Sequence, residues 1–149
     1  MGQYRSFPYW GCLWGKYLEI LSWVLPDVYP KHFVEATMGS GAFSANIAGG
    51  YSKAAKTGIE LDKGVYTLIQ QIKNNPNDVC RKIREMEYTQ DFFDKSMEMV
   101  KRMRGGEDID SLELAQAVSA TLAFSYNSQR ISYRSLDSYK KYAGSKAMR

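Results

Sequence analysis

Histidine and cysteine are nearly missing from this chain of 149 residues: His32 stands alone, and the only thiols are Cys12 and Cys80. So few ligands, in no recurring spacing, leave too few obvious donors for a zinc site. Two cysteines so far apart read as free thiols of a reducing compartment, not as a disulfide framework. No apolar run approaches the roughly 18–20 residues that span a bilayer. Met1-Gly2-Gln3-Tyr4-Arg5 lacks the apolar core of a signal peptide. Internal repeats and low-complexity tracts are also absent.

What remains is an ordinary globular composition. Hydrophobic residues make up 44% and charged residues 24% of the chain, which argues against disorder over most of its length. The size suffices for one modest core. The net charge of +4 permits a nucleic-acid partner without demanding one.

Along the chain, Tyr4 to Gly15 is aromatic and turn-rich, and Lys16 to Leu25 reads as a short amphipathic helix ended by Pro26. His32 to Thr37 reads as a strand and Ala42 to Ala48 as a helix start stopped by Gly49-Gly50. Ala54 to Leu61 reads as a second strand. Helices follow: Lys63 to Asn74; one beginning at Pro76 under an Asn75 cap; one opening at Thr89 or Gln90 and ending at Gly105-Gly106; and one from Leu112 to about Tyr126, with Ser111 as its cap. Beyond Asn127 the chain is rich in Ser, Tyr, Arg and Lys. The order of strand, helix, strand, then helices fits a parallel βαβ unit followed by a largely helical second half. Two strands alone make a poor sheet, so the chain looks like the front of an α/β domain with its later strands missing.

The segment with the most chemical content is Phe33-Val34-Glu35-Ala36-Thr37-Met38-Gly39-Ser40-Gly41-Ala42-Phe43. An apolar strand runs into an acidic residue, then a G-x-G turn, then a helix start. Ligands of open α/β sheets bind at such carboxyl ends, where backbone N–H groups of the helix start are free. Glu60 closes the second strand, and a carboxylate there can accept hydrogen bonds from both hydroxyls of a ribose. Read more plainly, the glycines permit a tight turn and Glu60 is a surface carboxylate. No third glycine follows, which argues against a dinucleotide and toward another adenosine-bearing ligand, S-adenosylmethionine. Glu35 would place an anion near its sulfonium.

These residues resemble the cofactor motif of the D12-class, Dam-like DNA adenine-N6 methyltransferases. The motif's usual form is F-V-E-P-F-x-G-x-G, a few apolar residues, then Asn. Here Ala36-Thr37 replaces Pro-Phe, and Asn46 closes the motif. Pro8 through Trp14-Gly15-Lys16 is similar to the family's N-terminal aromatic-glycine-lysine motif, with Trp14 where a glycine is common. Glu60-Leu61-Asp62 and Lys73-Asn74-Asn75-Pro76 resemble its second motif and the turn after it. Leu112 to Tyr133 resembles the helix leading into the DNA-contacting region.

The resemblance implies an α/β fold: an incomplete Rossmann-like S-adenosylmethionine-dependent methyltransferase, with residues 1–76 as the cofactor-binding portion and 77–149 as a helical, basic DNA-contacting portion. It implies that Trp10, Trp14 and Lys16 line the methionine end of S-adenosylmethionine. Glu35, Gly39 and Gly41 would form the pocket floor, Glu60 would take the ribose, and Leu61 would pack near adenine. Asn127, Arg130, Arg134 and Lys140 would face DNA. Arginines and lysines among tyrosines suit phosphate contacts and base stacking, although a solvated terminus is the plainer reading for the last ten residues. The family's catalytic D-P-P-Y motif has no counterpart, since Pro76 is the last proline. The resemblance therefore implies the front part of a cytoplasmic enzyme, inactive alone. A different class of reading is a non-catalytic DNA-binding or assembly subunit, whose partner chain, or a second copy, completes the sheet. Neither reading involves a membrane or a metal.

Overall fold

The computed structural model describes residues 31–36, 38–39, 54–125 and 130–138. Contacts divide the chain into two compact units, Met1–Asp62 and Lys63–Arg149.

In the first unit, β1 (His32–Glu35) and β2 (Ala55–Gly58) pair in parallel. His32 lies opposite Ala55, and Glu35 opposite Gly58. A parallel pair needs a long crossover; the helix start expected at Ala42 to Ala48 lies outside the described residues, as does the helix expected at Lys16 to Leu25. β1 alternates as a strand must, with Phe33 buried and its neighbour Val34 58% exposed. Both strands stop short of the ends expected at Thr37 and Leu61. The pairing nonetheless continues into the connecting turn: Ile59 N–H donates to the Glu35 carbonyl and Met38 N–H to the Ile59 carbonyl, both at 2.9 Å.

The second unit holds four helices: α1 (Lys63–Asn74), α2 (Pro76–Arg84), α3 (Gln90–Arg104) and α4 (Ser111–Ala123). α1 buries Val65 and Leu68 one turn apart, while Ile72, a further turn along, is exposed. It ends at Asn74, because the residue before a proline is pushed out of the helical region, and Pro76 then starts α2, where its missing N–H costs nothing. Asn75 occupies the cap position but makes no capping bond. Its Nδ2 instead donates to Gln71 Oε1 at 2.8 Å, so the side chain is turned back onto α1.

α3 is capped by Thr89, whose hydroxyl accepts from Phe92 N–H at 3.2 Å. Phe93, Ser96, Val100 and Met103 repeat at helical spacing and form its buried stripe. Gly105-Gly106 terminates it, with Gly106 at φ 94°, where a side chain would be strained. The α4 cap is Asp110, not Ser111. One Asp110 carboxylate oxygen accepts from both Leu112 N–H (3.0 Å) and Glu113 N–H (2.9 Å). A carboxylate also complements the positive helix end. Ser111 is the first helical residue and accepts from Gln71 Nε2 at 2.7 Å, tying α4 to α1.

α4 packs against α1, α2 and α3. Leu114, Ala115, Ala117, Val118, Ala120, Thr121 and Leu122 are all buried, so apolar surface wraps most of its circumference. Alanines at three of these positions keep the helix thin and let its neighbours approach closely. The buried hydroxyls are satisfied within their own helices: Thr121 donates to the Val118 carbonyl (2.9 Å) and Ser96 to the Phe92 carbonyl (2.8 Å). The end of α2 is fastened to α4 by Lys82 with Glu113, and by Gln116 Nε2 donating to the Lys82 carbonyl. α4 ends at Ala123, short of Tyr126, because the backbone at Phe124 and Ser125 turns to pair with residues 133–134.

Asp110→Ala removes the cap of α4 and is expected to cost about 1 kcal/mol of stability. Ser111→Ala, which loses one exposed side-chain bond, should cost only a few tenths of a kcal/mol. Denaturant unfolding of the two variants decides the assignment, and a larger loss for Ser111→Ala would reverse it.

Candidate functional site

The carboxyl ends of β1 and β2 lie side by side, and one carboxylate joins the turns that follow them. Gly39 sits at φ 50°, in the left-handed region that glycine enters without strain. That conformation aims its N–H at Glu60 Oε2, at 2.7 Å. The other oxygen, Oε1, accepts from Asp62 N–H at 2.9 Å. Both bonds are charge-assisted, and together they fix the carboxylate by two backbone donors. A carboxylate has about four acceptor positions, so a pair of hydroxyls can still be received. Beside it, Leu61 is 94% exposed, an extreme value for a leucine.

Gly58, opposite Glu35, lies directly beneath the flexible end of the Met38 side chain. A side chain there would run into Met38 Sδ and Cγ and push the methionine aside. The Met38 side chain thus lies across the end of β2, while its backbone N–H bonds to Ile59. Of the residues expected to hold a cofactor, Gly39 and Glu60 are in direct contact. Glu35 is half-buried at the end of β1 with its carbonyl accepting from Ile59 N–H, and Leu61 is on the surface next to Glu60. Trp10, Trp14, Lys16 and Gly41 lie outside the described residues. Met38 and the Asp62 N–H had no assigned part. Nothing in a methionine signals that it will cover a strand end, and a backbone donor carries no residue-type signature.

The second unit carries the basic segment. Its backbone returns to the end of α4 through an antiparallel bridge between Ser125 and Tyr133, with Arg134 N–H donating to the Phe124 carbonyl at 2.7 Å. Arg130 N–H donates to Ser125 Oγ at 3.1 Å, and Arg130 itself takes φ 56°, uncommon for a side-chain-bearing residue. Tyr133 locks this return in place. Its hydroxyl donates to the Tyr88 carbonyl at 3.0 Å, and its ring lies 5.9 Å from that of Tyr88 and 5.8 Å from that of Phe93, both tilted. Phe124 completes the cluster, 4.2 Å from Tyr88. Burial, and secondarily Tyr88, push the Tyr133 phenol above the ordinary tyrosine value.

Arg130 and Arg134 are both half-buried, with Nη1 of the first and Nε of the second shielded from solvent. The other two residues expected to face DNA, Asn127 and Lys140, lie outside the described residues. Ile131, between Arg130 and Tyr133, is 75% exposed. Among the described residues, no group of three or more His, Cys, Asp or Glu is placed to hold a metal ion. No described helix is long and apolar enough to cross a membrane. No protein-family model matches the chain, nor does any curated protein or solved structure.

Gly58→Ala is expected to push the Met38 side chain off the end of β2 and speed hydrogen exchange at the Gly39 amide. Met38→Ala in the same chain should restore the slow rate, and a failure to restore it would disconnect Gly58 from that turn. The raised Tyr133 pKa predicts alkaline behaviour as well. The stability it adds is present below the ordinary tyrosine value and is lost as pH rises through the raised one. In a phenolate absorbance titration, Tyr133→Phe should remove a late-ionising tyrosine; loss of an early-ionising one would contradict the burial of this hydroxyl.

Proposed function

We propose that this chain binds S-adenosylmethionine and DNA as part of a D12-class, Dam-like DNA adenine-N6 methylation system. The observation that carries the reading is the Glu60 carboxylate at the ends of two parallel strands, held by Gly39 N–H and Asp62 N–H. Binding at this edge is the rule for ligands of open α/β sheets. The residues present suit an adenosine group. Glu60 would accept from the ribose hydroxyls through its remaining lone pairs, Leu61 would meet the adenine face, and the Gly39 turn would let backbone approach closely. Glu35, ending β1, would supply an anion for the sulfonium end, and Trp10, Trp14, Lys16 and Gly41 belong to the same proposal on the resemblance of their motifs.

When bound, the cofactor supplies an electrophilic methyl group. In the family, a D-P-P-Y segment grips the adenine after it leaves the duplex. The 149 residues contain no such segment, so binding is proposed for this chain and methyl transfer by it alone is not. Arg130 and Arg134, with Asn127 and Lys140, would contact the phosphate backbone. A non-catalytic assembly subunit is the second reading. It is favoured by the two-stranded sheet of the described residues, where Val34 is largely exposed and a further strand or chain would cover it.

Calorimetric titration with S-adenosylmethionine should give micromolar binding, and Glu60→Ala should weaken it about tenfold or more, the effect of leaving polar groups unpaired. Binding that is indifferent to Glu60→Ala, or no binding at all, would overturn the cofactor reading of this site.

A further inference from the structure

We infer that the outer face of α1 is a phosphate-contacting surface for duplex DNA, carried by Lys63, Tyr66, Gln70 and Lys73. The inference rests on the DNA reading given above and adds a surface to the segment after α4.

Of α1 to α4, α1 alone contains no Asp or Glu, yet it carries a lysine near each end. In α2 and α3 the cations stand among carboxylates: Arg81 with Asp78 and Glu85, Lys95 with Asp91, Lys101 with Glu98. Lys63 and Lys73 are exposed, and neither makes an ion pair among the described residues. A phosphate that meets an unpaired lysine displaces only counterions, whereas a paired lysine must first give up its carboxylate.

The placement of these residues favours one partner. With 3.6 residues per turn, Lys63, Tyr66, Gln70 and Lys73 leave the helix within an arc of about 80°. Lysine, tyrosine and glutamine are side chains that meet DNA phosphates. Tyr66 stands 48% exposed between the two lysines. From Lys63 to Lys73 the stripe rises about 15 Å, and one DNA strand carries a phosphate per about 3.4 Å of axis. A strand lying along the stripe thus passes both lysines. The other side of α1 is fixed, with Val65 and Leu68 buried and Gln71 Nε2 bonded to Ser111 on α4. The stripe is therefore presented on a helix held in place before DNA arrives, which lowers the ordering cost of binding.

The test measures binding of a short fluorescein-labelled duplex DNA by the full chain across a salt series. Lys63→Gln with Lys73→Gln should weaken binding about tenfold at low salt and lower the salt slope by about 2, one for each phosphate contact. Lys95→Gln with Lys101→Gln removes the same net charge from exposed, ion-paired positions on α3, and should weaken binding by about twofold or less. Tyr66→Ala should weaken binding about three- to tenfold and leave the slope unchanged. Lys63→Arg with Lys73→Arg keeps the charges and should keep the slope. All of these positions are exposed, so the core of the bundle is untouched and far-UV circular dichroism should match the parent in every variant. An equal loss in the α1 and α3 lysine pairs, or an unchanged slope in the α1 pair, overturns the inference while leaving the DNA reading intact. Absence of DNA binding by the parent chain at every salt concentration overturns the DNA reading and the inference with it.

Discussion

The second unit depends on α4 being buried on nearly every side. A helix in that position cannot be amphipathic, and this one is not: Leu114, Ala115, Ala117, Val118, Ala120, Thr121 and Leu122 all face neighbours. Small side chains bring α1, α2 and α3 close, and the larger Val65, Leu68, Phe93 and Val100 of the surrounding helices fill the space between them. The polar links are secondary. Lys82 with Glu113 is only partly shielded, so solvent screens the pair. Such links choose the rotational setting of α2 on α4 more than they stabilise it.

Where α4 ends, its packing hands over to aromatic rings. Phe93, Phe124, Tyr88 and Tyr133 gather at one end of the bundle and bring the polar segment after α4 back to the protein. Tyr133 combines a ring that buries with a hydroxyl that finds a carbonyl, the dual character that suits tyrosine to the join between core and surface.

The first unit relies on a different device. Two short parallel strands offer few hydrogen bonds and little core, with Phe33 buried. Their carboxyl ends are joined by the Glu60 side chain, which reaches back to Gly39 across 21 positions of sequence. The bond positions a carboxylate beside an exposed leucine, at the edge where α/β sheets take their ligands. The chemistry available there is hydrogen-bond acceptance from hydroxyls, with an apolar surface alongside. The functional proposal rests on that combination.

Proline, glycine and hydrophobic spacing located the four helices of the second unit. Asn74-Asn75-Pro76 separates α1 from α2, Gly105-Gly106 ends α3, and the stripe from Phe93 to Met103 marks its buried face, because these signals act within a few residues of the backbone they govern. Gly39 and Glu60 were likewise legible as strand-end residues, from the shift between strand-like and turn-like sequence on either side. Their mutual hydrogen bond was not, nor was the passage of Met38 over Gly58, since both depend on which strand ends meet in space. The capping residues show the same division. Either Asp110 or Ser111 satisfies the local chemistry of an N-cap, and the choice fell to Asp110 once Ser111 was drawn into α4 and bonded to Gln71 on α1. The sequence by itself determined where the breaks between α1 and α2 and after α3 fall, because proline and glycine act on the backbone beside them. Only the tertiary structure decided which distant groups meet, because those encounters depend on packing between elements and not on the local preferences of any one of them.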